Sequence, residues 1–269
     1  MALKDLFFRI TAKDETKGAF ASVRKGLGDV SGAARTVRDR LAATGRTARN
    51  AGGVMSAAIT APIVLALRES LSLYQVQEKA EAQVAQAVRR TGAAAGFTAE
   101  ELYRQASALQ ELTAVGDEAI LGDVTAQLLT FGNVSGDVFL RAQQAALDLS
   151  ATIGTDLKST TIQLGKALND PVKGITALGR AGVQFSEDQK AVIKALVESG
   201  DIAKAQGIIL DEITAFYGGQ AAARAQTLEG RITSLNNAWG DFKEQIGAVL
   251  AELLPPIIGG LRGLVDGLQ

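Results

Sequence analysis

Cysteine and histidine are both absent from the 269 residues, proline occurs 4 times, tryptophan once, and aromatic side chains make up only 5%. Without Cys there is no disulfide framework and no thiolate nucleophile; without His there is no His-based zinc site and no Ser-His-Asp triad. A side chain that titrates near neutral pH must then be a strongly perturbed carboxylate or lysine. Two carboxylates suffice for glycoside hydrolysis, but the expectation is a non-enzymatic chain with no cofactor and no metal. The scarcity of alternating Val, Ile, Tyr and Trp counts against a β-sandwich. Alanine, leucine and glycine carry a 47% apolar composition instead, and small side chains let helices pack closely. The expected fold class is all-α.

Charge is unevenly spread. Residues 1–50 carry 11 Lys and Arg against 5 Asp and Glu, a net +6, and the remainder carries −7. A basic end on an acidic body suits contact with something anionic, such as nucleic acid, an acidic protein wall or a lipid surface; a solvated Arg-rich helix is the plainer alternative. Lys4, Asp5 and Arg9 interrupt the place where a secretory signal would have its apolar centre, so a soluble protein made in the cytoplasm is expected.

Four segments follow from the patterning. In residues 1–53, Phe20, Val23, Leu27, Val30, Ala34, Val37, Leu41, Thr44 and Ala48 recur at alternating spacings of three and four, the seam of a coiled coil. Unbranched residues at a and β-branched residues at d favour more than two strands, hence a trimer or higher. Arg24, Lys25, Arg35, Arg38, Arg40, Arg46 and Arg49 all fall off the seam, on the outer face of such a bundle. Docking of one amphipathic helix on its own domain is the alternative. Residues 54–96 are an apolar helix and linker: Val54–Leu67 is nearly uncharged, a candidate membrane-active segment through Val54, Ile59, Ile63, Leu65 and Leu67, with Pro62 placed to open a helix. The run is short of the 20 or so residues a bilayer needs, which favours burial over membrane insertion.

Residues 97–219 form a compact α-helical domain of short capped helices. Capping boxes stand at Thr98/Glu101 and Ser186/Gln189, further starts at Gly116-Asp117, Ser135, Thr155 and Asp201, and turns at Asn169-Asp170-Pro171 and Gly179–Gly182. Residues 220–269 are expected to hold one long helix to Leu254, stopped by Pro255-Pro256, then an apolar tail. In it Leu228, Ile232, Leu235, Trp239, Phe242, Ile246, Val249 and Leu253 make a second seam.

Motifs with chemical meaning are weak. Gly26–Gly32 is a GxGxxxG run with no clear preceding strand, one residue off a dinucleotide fingerprint. Lys17-Gly18 and Gly165-Lys166 lack Walker spacing. The acidic pairs Glu100-Glu101, Asp117-Glu118 and Glu187-Asp188 sit in expected first turns, where negative charge suits the helix dipole; Asp211-Glu212 does not.

Phe8–Lys13 running into Asp14–Gly18, Asn169-Asp170-Pro171 followed by Gly174–Ser186 and Gly207–Glu212, and Ala225–Ile246 before Pro255 together resemble phage tail tape measure proteins over most of the chain. The resemblance implies a structural ruler: several copies lie along the tail axis and tube subunits polymerise around them. It implies the tail tube protein, tail-tip or baseplate hub proteins and a tail assembly chaperone as partners. It adds the host envelope on delivery, as the ruler leaves the tube; the outward arginines themselves would suit contact with the DNA end or with an acidic tube lumen. The location implied is the host cytoplasm before assembly and the tube lumen after. Fully helical, the chain would reach roughly 400 Å, short for the family. That fits a short-tailed particle such as a gene transfer agent, or the shared part of a longer ruler. The alternatives are a membrane-active pore-forming helical protein and a carboxylate-dependent cell-wall hydrolase.

Overall fold

A computed structural model describes the backbone over residues 54–266, Ala181 apart, and side chains over residues 63–252 with the same exception. Contacts divide the chain between Val64 and Leu65; the unit from Leu65 onward holds the packed core. In order come α1 (Val54–Thr91), α2 (Ala99–Thr113), α3 (Asp117–Ala119), a π-helical segment (Ile120–Thr125) and α4 (Ala126–Leu128). Next are α5 (Gly136–Ile153), α6 (Leu157–Asn169), α7 (Pro171–Arg180), α8 (Glu187–Glu198), α9 (Ile202–Tyr217), α10 (Gln220–Ala225) and α11 (Leu228–Asp266). No strand occurs among the described residues, and the fold is all-α. The first seam, Phe20 to Ala48, and its flanking arginines lie outside the described residues.

The helices start where their side chains can satisfy the first free amides. Thr98 Oγ1 accepts from the Glu101 amide at 3.2 Å while Glu101 Oε2 accepts from the Thr98 amide at 2.9 Å. Ser186 and Gln189 repeat this reciprocal pair at 3.1 and 2.8 Å. Asp156, rather than Thr155, caps α6, its carboxylate accepting from the Ser159 amide at 2.8 Å. Pro171 opens α7 at the first helical position, where its missing N–H has no intrahelical partner to lose.

Helix α5 is the centre of the body and packs against α6, α9 and α10. Its inward face carries Phe139, Ala142, Ala145, Ala146 and Leu149, and it meets Leu164 and Leu168 from α6 and Ile209, Leu210 and Ile213 from α9 in one core. The alanines let neighbouring backbones close in without long intervening side chains. Backbones approach closely between α6 and α7, where a Cβ on Gly174 would fall into the backbone of Ala167. Two buried glutamines donate within the core, although Gln143 Oε1 is left without a partner among the described residues. Gln206 Nε2 donates to the carbonyls of Asn133 (2.7 Å) and Leu168 (2.9 Å), and Gln143 Nε2 donates to Thr125 Oγ1 at 2.8 Å.

Asp148 is buried on α5, and its two oxygens accept from the amides of Gly219 (3.1 Å) and Ala221 (2.9 Å). One carboxylate thus fastens the start of α10 to the central helix. Asp148→Ala is expected to lower stability by about 2 kcal/mol, because the Ala221 amide would be left buried without a partner. Asp148→Asn, keeping one acceptor oxygen, should lose about half as much. Urea unfolding of the three proteins measures both.

The structure corrects several sequence-based expectations. Helix α1 starts at Val54, so Pro62 lies inside it and opens nothing. The expected single helix from Gln220 is broken at Gln226-Thr227 into α10 and α11. There, Thr227 Oγ1 accepts from the Gly230 amide at 3.1 Å, and Gly230, lacking a Cβ, lets the carbonyl of Arg224 and the backbone of Ala225 lie against it. Pro255-Pro256 does not stop α11, which runs on to Asp266. Proline's fixed φ is itself helical, but the pair removes two amide donors and a proline ring inside a helix crowds the carbonyl four residues back, so this stretch of α11 is continued at a cost. The helix expected from Gly116-Asp117 widens into a π turn, which brings Ile120, Leu121, Val124 and Thr125 all to the buried side. On α2, Leu102, Ala106 and Leu109 are buried while Leu112 is 59% exposed.

Candidate functional site

The long helix α11 is seated on the body the wrong way round for an ordinary amphipathic helix. Gly230, Ser234, Asn237, Asp241, Glu244 and Gly247 recur at helical spacing, and each is buried or half-buried. Asn237 Nδ2 donates to the carbonyl of Ala114 at 3.0 Å, and Asp241 Oδ2 accepts from Gln110 Nε2 at 2.8 Å. Gly247 lies so close to the Ser70 carbonyl and the Tyr74 Cβ that a side chain there would push α1 and α11 apart. Lys243 Nζ reaches Glu69 Oε1 of α1 at 2.6 Å. The seated face is therefore small and polar.

The opposite face is apolar and open. Leu228, Ile232, Leu235, Trp239, Phe242 and Val249 are all exposed, Leu235 to 69% and Trp239 to 56%, and Ile246 is half-buried. Trp239 and Phe242 stack with ring centroids 5.4 Å apart, and Lys243 Nζ sits 5.6 Å from the Trp239 ring centroid. A contiguous apolar stripe of this kind on a folded body marks a surface meant to be covered. Leu228 to Val249 of the expected seam therefore share one face, which the helix's own body leaves largely open; Leu253 lies outside the described side chains. On α1, Ile63, Leu65 and Leu67 are exposed, while Val54 and Ile59 belong to the same helix. No helix among the described residues is long and apolar enough to cross a membrane.

Beneath the seated face of α11 lies a cleft of about 630 Å³ between α1, α2, α3 and α11, lined among others by Tyr74, Gln77, Gln110, Asp117, Asp241 and Glu244. Gln110 bridges it: its Oε1 accepts from the Asp117 amide at 2.6 Å and its Nε2 donates to Asp241. Asp117 Oδ2 accepts from Ser107 Oγ at 3.0 Å, while Asp117 Oδ1 is enclosed with no partner. Burial, then the charges of Asp117, Asp241, Glu118 and Glu81, pushes Glu244 up to about 7. Burial followed by neighbouring carboxylates also raises Glu118 and Asp241, with Gln110 partly offsetting the latter. Glu81 is raised mainly by burial, against the opposing bond from Gln77.

Periodicity pointed to the stripe and missed this cleft. Its carboxylates come from residues 81, 117–118 and 241–244, which only folding brings together; the one available signal was Asp241 and Glu244 sharing the face opposite the stripe. The acidic pairs at 100–101, 117–118 and 187–188 do sit in first turns, and Asp117-Glu118 faces the cleft as well. No cluster of three or more His, Cys, Asp or Glu suited to a metal ion occurs among the described residues.

A family profile described as prophage tail length tape measure protein matches residues 22–184. That stretch runs through α1 to α7 and ends before α11. No curated protein and no solved structure matches the chain.

Proposed function

The chain belongs to the prophage tail length tape measure protein family, and from that premise we propose that it works as a ruler and scaffold inside the tail tube. Its role lies in phage tail length, and it is a component of the virion tail. Copies associate along the tube axis, tube subunits assemble around them, and the rod departs when the genome is delivered. The tube protein, a tip or hub protein and an assembly chaperone are its partners in this reading, and the DNA end and the host envelope are contacts made on delivery. The role is structural, not catalytic.

The family match carries the proposal. The open stripe on α11 supports association between copies, because heptad spacing is what a second helix requires. The basic segment, residues 1–50, supports contact with DNA or an acidic lumen by its charge.

Tail length tests it. In-phase heptads inserted into α11 should lengthen tails by about 10 Å each, so four heptads add about 40 Å, read from electron micrographs of assembled particles. Tails whose length ignores insertions and deletions would overturn the ruler.

One observation favours a second reading. Glu244, held near 7 beside Asp241, has the protonation a general acid needs, as a carboxylate-dependent wall hydrolase would require. Loss of peptidoglycan clearing in Glu244→Gln, with tail length unchanged, would favour it over the ruler.

A further inference from the structure

The contact between α11 and the body is held by few bonds and opposed by its own charge. Across the cleft α11 presents Asp241 and Glu244. Facing them are Glu81 on α1, with Glu78 behind it and Tyr74 beside the cleft, Glu111 on α2, and Asp117 and Glu118 on α3. No Lys or Arg is among the described residues lining the cleft. The one cation of α11 close to this contact, Lys243, is engaged outside it with Glu69. Like charges brought together at partial burial repel, and the repulsion persists unless a proton is taken up. Holding the helix against this repulsion are the bonds from the Gln110 and Asn237 amides, the Lys243–Glu69 ion pair outside the cleft, and the close approaches at Gly230 and Gly247. Among the described large apolar side chains of α11, only Ile246 and Leu250 are half-buried; Leu228, Ile232, Leu235, Trp239, Phe242 and Val249 are exposed.

We propose that this contact is a proton-operated latch: α11 rests on the body while Glu244 holds a proton against the acidic cluster it faces, and lifts away as that proton is lost. Lifting frees the polar face of the helix, the stripe being open already, and turns a seated arm into a free one. This does not depend on the ruler reading, since it concerns one chain alone.

The sign follows from linkage. Glu244 is raised to about 7 when seated and returns to the ordinary carboxylate range when the helix is free. The seated form therefore holds the extra proton between about pH 4.5 and pH 7. Seating is strongest below that window, weakens as pH rises through it by up to about tenfold per pH unit, and levels off above it.

The absence of native cysteine permits paired nitroxides at Ala108→Cys on α2 and Asn236→Cys on α11, both exposed positions outside the cleft. Electron–electron distance measurements on the full chain, diluted tenfold with unlabelled protein to suppress signals between copies, report the latch. One narrow, short distance is expected at pH 5, and a second, longer population at pH 8. Glu244→Gln should remain seated at pH 8, and Asp241→Asn, which keeps its bond from Gln110, should shift the opening to higher pH. Identical distance distributions at pH 5 and pH 8 would overturn the latch, as would a Glu244→Gln chain that opens with pH like the parent. Heptad insertions that leave tail length unaltered would not touch it.

Discussion

Replacing Leu235, Trp239 and Phe242 together with serine is expected to abolish self-association and leave the folded body intact. Each side chain, buried against a partner helix, contributes about 1.5–3 kcal/mol. Losing three of them corresponds to at least a thousandfold weaker association. In the single chain Leu235 is 69% exposed, Trp239 56% and Phe242 44%, so the body forfeits only part of their burial and its melting temperature should fall only slightly. Sedimentation measures the first effect and thermal unfolding the second. A triple variant that associates like the parent, or a parent that stays monomeric at high concentration, would remove the stripe from any interface between copies. A large drop in melting temperature would mean the body itself depends on it.

Gly174→Val should nearly unfold the body. The added Cβ would fall on the Cα, carbonyl carbon and oxygen of Ala167, and backbone atoms in a helix cannot swing aside as a side-chain tip can. Helices α6 and α7 would have to part, pulling Leu164, Leu168, Ile175 and Leu178 out of the core they share. A destabilisation of about 4 kcal/mol or more is expected, read as loss of the cooperative urea transition. Gly179→Ala, five residues along, where an added Cβ meets nothing within 4 Å, is the control and should be tolerated. The pair separates a packing requirement at one glycine from a general dislike of side chains in α7.

Local chemistry made much of the fold legible. Thr98/Glu101 and Ser186/Gln189 mark helix starts because a hydroxyl and a carboxylate or amide three residues on can satisfy each other's amides without help from the rest of the chain. What depends on distant residues was not legible. The break at Thr227 arises because Gly230 admits the backbone of α10, and no propensity encodes that approach. The π turn after Ala119 arises from fitting Ile120, Leu121 and Val124 into one core at once. Spacing likewise located the stripe on α11 but could not say what covers it. A heptad fits its own domain or another chain equally well, and only the seating of Asn237, Asp241 and Gly247 on the body settles which face is left open.

The alanine faces of the body carry a calorimetric consequence. Ala142, Ala145 and Ala146 on α5, Ala167 on α6 and Ala205 on α9 hold positions that larger residues fill in most cores. Each buries little hydrocarbon, so unfolding newly wets less of it per residue. The heat-capacity increment should then fall toward the lower end of the usual ~12–15 cal/mol/K per residue. Such a domain has a shallow stability curve: modest at its maximum, slow to erode on warming, and little inclined to unravel in the cold.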